Sequence, residues 1–302
     1  MQNIKKINVL IIGYGSIGER HARILSKGKF VKQIFIFSKR QDHAYNQINS
    51  LSKKTLNKID YIIISNPTSK HYKILKILNR LVKGKKIMVE KPLFEKYYKP
   101  LNLRNNVYVG YNMRFDPMIQ FLKKNFFKKK ALKINIMSKS NLKKWRKNIN
   151  YSKSDSAKRI GGGVLMDYSH ELDFITWIFG KFMPSFKLHT KISKLKIKSK
   201  DFLVFIGKIK KTIISGEFNY FSNIASREIN IDFVDSSIKA DLLHKYITIS
   251  KKNNIKKITF KNCNRDTTYF EMHKNIILKK GSNTCSYIEG LRTMKTIKNL
   301  SN

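Results

Sequence analysis

The 302-residue sequence predicts two domains: an α/β domain on a doubly wound parallel sheet over residues 1–117, then an α+β domain with an open, mainly antiparallel sheet over 118–302. Three observations predict this. Short apolar runs alternate with helical patterns through the first third, as parallel strands buried on both faces and their crossover helices do. A glycine triplet spaced G-x-G-x-x-G follows the first of those runs, at Gly13, Gly15 and Gly18. Beyond residue 185 the chain turns to repeated extended runs, several alternating apolar and polar residues, as a sheet with one covered face does.

The elements follow in order. Strands are expected at 7–12, 33–37, 60–65, 86–90 and 107–111, with helices at 16–26 and 69–83 and a shorter one near 41–48. Residues 46–52 are a candidate for one further short strand. A helix at 117–127 leads into a strand at 131–138, and the polar, basic stretch 139–160 reads as a long ordered loop. A helix at 165–179 is ended by Gly180. FLVFIGKI, TIISGEFNYF, REINIDFV and YITIS supply hairpin-connected strands between 185 and 260, and helices near 267–279 and 286–299 follow.

Composition narrows the function classes. No apolar run approaches the roughly 20 residues of a membrane helix. The basic and then apolar start, MQNIKKINVLIIGYG, imitates a signal peptide, but its apolar part is shorter than the roughly 7–15 residues of a signal core and no small-residue cleavage site follows. A buried first strand and a cytoplasmic protein are expected. Cys263 and Cys285 form no metal-ligand spacing, so reduced thiols and no metal are expected. The formal charge is +44. Its lysines are spread over the whole length, and no zinc-finger, RNP or helix-turn-helix pattern accompanies them. Biased composition, rich in Lys, Asn, Ile and Tyr, is therefore preferred to selected polyanion binding, and nucleic acid is not expected as a partner. Such a field still attracts anionic small molecules.

The loop Gly13-Tyr14-Gly15-Ser16-Ile17-Gly18 carries the strongest chemical signal. After a strand and before a helix, the first glycine permits the tight turn, the second lets the backbone approach a pyrophosphate, and the third lets helix and strand pack closely. The helix start adds N–H groups and partial positive charge for the phosphates. This reads as the dinucleotide fingerprint of a Rossmann domain, with a purely structural turn as the alternative.

With this fingerprint and His21, the chain carries Asn66-Pro67-Thr68 with His71, Glu90-Lys91-Pro92, Gly110-Tyr111-Asn112-Met113-Arg114-Phe115, and GGGVLMDYSHELDFITWIFG at 161–180. By these blocks, in order and at about family spacing, it resembles the glucose–fructose oxidoreductase / inositol dehydrogenase (Gfo/Idh/MocA) family. The resemblance implies a pyridine-nucleotide oxidoreductase acting on a sugar, nucleotide sugar, cyclitol or related polyol, and an open-faced second sheet through which subunits pair.

The strand IFIF ends in Ser38-Lys39-Arg40, where an NAD site places an acid for the ribose 2′-OH; the first carboxylate, Asp42, comes late. A hydroxyl and two cations suit a 2′-phosphate, so NADP(H) is expected over NAD(H). Asn66, Pro67, Thr68 and His71 sit at a strand end, where ligands of such sheets bind; a plain turn with Thr68 or Ser69 as cap fits the same residues. His71 reads as structural rather than catalytic. Glu90 and Lys91 end the next strand as candidate cofactor contacts, and the resemblance places Lys91 at the substrate hydroxyl beside the nicotinamide; the alternative is one more surface lysine.

Asp167 and His170, three apart on one helix, share a face: His170 is the candidate base and Asp167 the group that orients it. The alternative is a capping acid and a core histidine. The family commonly has three residues between this pair, and here Tyr168 and Ser169 are two, which weakens Asp167's part. Asn112, Arg114 and Tyr111 are candidate substrate contacts, and the resemblance makes the loop with Trp145, Arg146 and Tyr151 a cofactor or substrate cover, Tyr151 a candidate substrate contact, with packing as the rival role for Trp145 and solvation for Arg146. Two other readings compete with the oxidoreductase: a non-catalytic dinucleotide-binding regulator, opposed by the presence of Lys91, Asp167 and His170, and a polyanion binder, opposed by the dispersed lysines.

Overall fold

The computed structural model describes residues 5–126, 128–145, 150–252, 254–261, 264–278 and 283–301. The chain packs as two compact units, Met1–Phe115 with Asn264–Leu291 and Asp116–Cys263 with Arg292–Asn302.

The first stretch runs β1 (Ile7–Ile12), α1 (Ser16–Leu25), β2 (Val31–Phe37), β3 (Asn46–Gln47), α2 (Lys53–Asn57), β4 (Tyr61–Ile64), α3 (His71–Leu81), β5 (Lys86–Val89) and β6 (Asn106–Val109). The middle stretch holds α4 (Pro117–Phe126), β7 (Lys133–Asn141), α5 (Val164–Asp167), α6 (Ser169–Phe179), β8 (Met183–Thr190), β9 (Phe202–Ile209), β10 (Thr212–Asn219), β11 (Phe221–Asp232), β12 (Ser236–Asp241), β13 (Tyr246–Lys251) and β14 (Asn254–Thr259). The last holds α7 (Arg265–Leu278), β15 (Cys285–Ser286) and α8 (Tyr287–Ser301).

The first unit is a Rossmann domain. Its sheet has the order β15-β6-β5-β4-β1-β2-β3, with every pair parallel except β15 on β6. β1 lies in the middle, Leu10 level with Phe35 on one side and Ile62 on the other. β4, YIII, is buried throughout, which explains its lack of alternation. α1 turns Gly18, His21, Ala22 and Leu25 inward, the i, i+3, i+4, i+7 spacing of one helical face. Tyr269, Met272 and Ile276 of α7 join the same core as Val9, Ile11 and Ile36, and Asp266 pairs with Arg20 and Arg23 of α1. A boundary at 117/118 leaves α7 with the second domain; its apolar face places it in the first unit.

The expected helix near 41–48 does not form. Ile48 N–H donates to the Ile36 carbonyl at 2.8 Å, and Asn46–Gln47 pair with β2 as an edge strand. The segment has no apolar helical face to compete with that pairing. The short helix comes later, at α2, where the Ser52 hydroxyl caps it by accepting from Thr55 N–H.

The second unit is α+β. Its eight-stranded sheet has the order β14-β13-β12-β11-β7-β10-β9-β8, antiparallel apart from β7 and β10. Alternate residues, such as Ile134, Ile136, Phe205, Ile214 and Phe218, point into the core. The register sets Phe186 level with Ile206 and Leu188 level with Val204 on the opposite face, where Phe186 and Leu188 stand about half exposed. The helix expected at 165–179 is two helices, broken at Tyr168, which has φ −90° and ψ 22°. The Tyr168 ring packs on Phe218 and its hydroxyl meets Ser140 Oγ at 2.7 Å, so tertiary contacts hold the break. Among the described residues no helix is long and apolar enough to cross a membrane.

Candidate functional site

In the first unit the glycine loop forms a cradle. Gly13 has φ +96°, and a Cβ there would lie 2.6 Å from the Asn66 backbone. A Cβ on Gly18 would lie 2.0 Å from the Gly13 carbonyl, so this residue lets α1 close onto the turn. The Ser65 hydroxyl donates to that same carbonyl at 2.8 Å. Gly15 differs: a Cβ there meets nothing within 4 Å. The chain is thus compact around the loop and open at the one position where a pyrophosphate needs bare backbone. α1 begins with the Glu19 N–H to Gly15 carbonyl bond, leaving the N–H groups of Ser16, Ile17 and Gly18 ahead of its ladder. These residues fit a dinucleotide.

The turns that end β4 and β5 follow one another on one side of β1, and buried His71 lies between them. Its Nε2 lies 2.8 Å from the Asn66 carbonyl and its Nδ1 3.2 Å from the Pro92 and Leu93 carbonyls. Burial holds its pKa below the ordinary imidazole value. His71 thus sits between Asn66-Pro67-Thr68 and Glu90-Lys91-Pro92 as a structural residue, and its neutral ring, with one N–H, donates to one of the two turns. Glu90 is buried, its Oε2 accepting from the Lys91 N–H at 3.1 Å and its Oε1 facing His21 Nε2 at 3.1 Å.

At the end of β2, the Arg40 N–H donates to Ser38 Oγ at 3.1 Å, while the Arg40 guanidinium stands 5.5 Å over the Tyr14 ring. It pairs with Asp42 at 2.6 Å and Glu19 at 3.3 Å. The Arg40 bond draws the Asp42 pKa below the usual carboxylate value. Asp42 thus reaches the region through Arg40, although it comes late in sequence. Lys39 beside it is exposed.

Asn112 and Arg114 take a different part from the substrate contact expected of them. Arg114 is 1 % exposed, and its guanidinium pairs with Glu289 at 3.0 Å. Asn112 is buried and donates to Thr268 Oγ1 at 2.6 Å. Both hold the C-terminal segment onto the first unit. Tyr111 is buried as well. Arg114→Ala is expected to lower stability by about 2–4 kcal/mol, since it takes the buried guanidinium from the half-buried Glu289 carboxylate, which Ser286 also holds, and to appear as a fall in the urea midpoint.

In the second unit, Asp167 ends α5 and His170 stands in the first turn of α6, so the single helix face expected to carry both does not exist. The Asp167 carboxylate accepts the Tyr220 hydroxyl, and burial beside that carboxylate raises the Tyr220 pKa well above its usual value. Around Tyr220 lie Tyr168 and Trp145, the indole 5.2 Å from Tyr220 and edge-on to it, with Nε1–H donating to Ser140 Oγ at 2.7 Å. The Tyr151 hydroxyl accepts from Lys196 N–H at 3.3 Å. Arg146 and Cys263 lie outside the described residues. Tyr220 gave no signal in the sequence, because an aromatic in an extended run reads as core. Cys285 is buried in β15, and no cluster of metal-ligating side chains occurs among the described residues.

Strand, glycine turn, helix and parallel sheet define a Rossmann fold of the dinucleotide-binding class. Residues 7–100 match the model of the Gfo/Idh/MocA family, described as an oxidoreductase family with an NAD-binding Rossmann fold. No curated protein matches the sequence. Solved structures match along nearly the whole chain. UDP-N-acetylglucosamine 3-dehydrogenase from Acidithiobacillus ferrooxidans is 15 % identical with a TM-score of 0.78, covering 98 % of this chain and 97 % of its own. Levoglucosan dehydrogenase in complex with NADH is 14 % identical with a TM-score of 0.80, covering 98 % and 96 %. An oxidoreductase from Desulfitobacterium hafniense, described as NADPH-dependent, is 14 % identical with a TM-score of 0.78, covering 99 % and 94 %.

Proposed function

We propose that this protein is an NAD(P)-dependent dehydrogenase or reductase that transfers hydride between a nicotinamide and a hydroxyl-bearing carbon of a sugar, nucleotide sugar, cyclitol or related polyol. The observation that carries this reading is the cradle: bare backbone at Gly15, closed packing at Gly13 and Gly18, and the strand-end turns of Asn66 and Lys91 beside it. Two of the similar structures are named for a nucleotide sugar and for levoglucosan, which supports the substrate class. Gly13 to Gly18, Ser38, Lys39, Arg40, Asn66, Pro67, Thr68 and Glu90 would hold the dinucleotide, whose nicotinamide supplies the hydride chemistry.

The protein's own residues handle the proton. In the oxidising direction His170 takes the hydroxyl proton and Lys91 stabilises the developing negative charge or relays that proton; in reduction the same groups return it. Asp167 would orient His170, and its carboxylate accepts the Tyr220 hydroxyl. The reading places the protein in the cytoplasm, with a small polyol or sugar as substrate, no membrane or nucleic-acid partner, and a homo-oligomer formed through the open face of the second sheet around Phe186, Leu188 and Ile206.

The deciding experiment is a fluorescence titration with NADPH and NADH, followed by turnover assays over a panel of sugars, nucleotide sugars and cyclitols. Saturable binding and turnover are expected. Binding without turnover on the panel favours the non-catalytic regulator, and no binding removes the reading.

NADPH is expected to bind more tightly than NADH, because Ser38, Lys39 and Arg40 stand where an NAD site has its acid. Ser38→Asp should reverse the preference by repelling the 2′-phosphate. Asp42→Asn should widen it severalfold, since Asp42 occupies the Arg40 guanidinium at 2.6 Å. Equal native affinities for the two dinucleotides would overturn this.

A further inference from the structure

A buried chain of polar side chains crosses the first unit and ends at the Lys91 backbone. The Tyr61 hydroxyl lies 3.0 Å from His273 Nδ1. His273 Nε2 lies 2.9 Å from His21 Nδ1, and His21 Nε2 lies 3.1 Å from Glu90 Oε1. Glu90 Oε2 accepts from the Lys91 N–H at 3.1 Å. Tyr61, His21 and His273 are fully buried and Glu90 is nearly so. The chain thus joins β4, α7, α1 and the end of β5, and His273 comes from 252 residues beyond His21. Gly110 leaves it room, since a Cβ there would lie 2.7 Å from Glu90 Oε1.

Hydrogen bookkeeping gives the chain one direction. The Lys91 N–H only donates, so Glu90 accepts at that end. Suppose Glu90 donated to His21. His21 Nδ1–H would then donate to His273 and His273 Nδ1–H to the Tyr61 oxygen. The Tyr61 O–H hydrogen would be left facing no acceptor among the described residues, in a side chain 0 % exposed. The opposite order satisfies every atom. Tyr61 O–H donates to His273 Nδ1, His273 Nε2–H to His21 Nδ1, and His21 Nε2–H to a Glu90 carboxylate. Both rings are then neutral, and burial with a neighbouring imidazole holds the His273 pKa well below its usual value.

We propose that His21 and His273 are positioning residues for Lys91: the directed chain Tyr61–His273–His21 fixes the rotation of the Glu90 carboxylate, which holds the Lys91 backbone in its turn at the end of β5. Among the described residues, the Glu90 carboxylate meets His21 Nε2 and the Lys91 N–H, so the bond to His21 sets the rotation at which it meets Lys91. A lysine side chain is flexible, so a proton-handling lysine gains its aim from a fixed Cα. The consequence for turnover rests on the proposed oxidoreductase function; the hydrogen-bond chain does not.

Three measurements on the full-length protein test this. With 15N-histidine labelling, the chain holds only 7 histidines to resolve. His21 and His273 are both expected as Nε2–H tautomers at neutral pH; an Nδ1–H or doubly protonated ring at either position overturns the chain. Crystal structures of His21→Leu and His273→Leu should show Glu90 rotated off the Lys91 N–H and the Lys91 turn displaced; an unmoved turn in both overturns the positioning role. With a turned-over substrate, His21→Leu should lower kcat about 10–100-fold, as misplacement of a reacting group does, with little change in KM or in the NADPH dissociation constant. His21→Gln, which keeps an N–H toward Glu90, should recover most of it. In a Lys91→Ala background His21→Leu should have little further effect, and a full additional loss would overturn the route through Lys91. Correct tautomers and a displaced turn in a protein that turns over nothing would leave this inference standing and remove the proposed activity.

Discussion

Gly15→Val is expected to abolish dinucleotide binding while the protein keeps its fold. Gly15 has φ −85° and ψ −169°, extended backbone that any L-residue adopts. A Cβ there meets no protein atom within 4 Å, so valine projects into open space and changes folding stability by less than about 1 kcal/mol. That open space is where the pyrophosphate must reach the N–H groups of Ser16, Ile17 and Gly18. Losing several charge-assisted hydrogen bonds at once should weaken binding about 100-fold or more. The neighbouring glycines give the contrast. Gly13→Ala must adopt φ +96° against the Asn66 backbone, and Gly18→Ala meets the Gly13 carbonyl at 2.0 Å, so both should lower the melting temperature. Titration and thermal unfolding of the three variants separate the two roles. A Gly15→Val protein with the native titration curve would make the loop a turn and nothing more.

The contrast among these glycines also marks what the sequence could reveal. β1, the glycine turn and α1 are legible because each signal is local: an apolar run, a triplet spacing, one helical face. Between 38 and 60 that locality fails. Ser, Asn and Gln offer no period there, and the Ile48 N–H bond to Ile36 decides the strand instead. The break at Tyr168 is equally invisible, since it depends on Phe218 and Ser140 in other strands. The same applies to function. Arg114 reads as a substrate contact until Glu289, 175 residues later, is seen to hold it. His273 has no motif around it and acquires meaning only where α7 meets His21. Residues whose role is set by their neighbours in sequence could be assigned; those set by a distant partner could not.

Lys91→Ala and His170→Ala are each expected to retain NADPH binding and lose about 10²–10⁴-fold in hydride transfer, the range for removal of a positioned proton-transfer group. Neither substitution touches the glycine cradle, so titration should stay native while single-turnover rates fall. For Lys91 the backbone stays anchored through Glu90, because alanine keeps the N–H that Glu90 accepts, and the loss reports on the ammonium group alone. For Asp167→Asn a smaller effect, under about tenfold, is expected. Its carboxylate accepts the Tyr220 hydroxyl, and an asparagine carbonyl can accept the same hydrogen. The break at Tyr168 also removes the common helix face that would have coupled it directly to His170. Single-turnover hydride transfer with each variant, measured on a substrate from the panel, checks all three. Native rates in both alanine variants would remove the catalytic assignment and favour a dinucleotide-binding regulator. An Asp167→Asn loss as large as that of His170→Ala would mean that the two residues act as one unit despite belonging to separate helices.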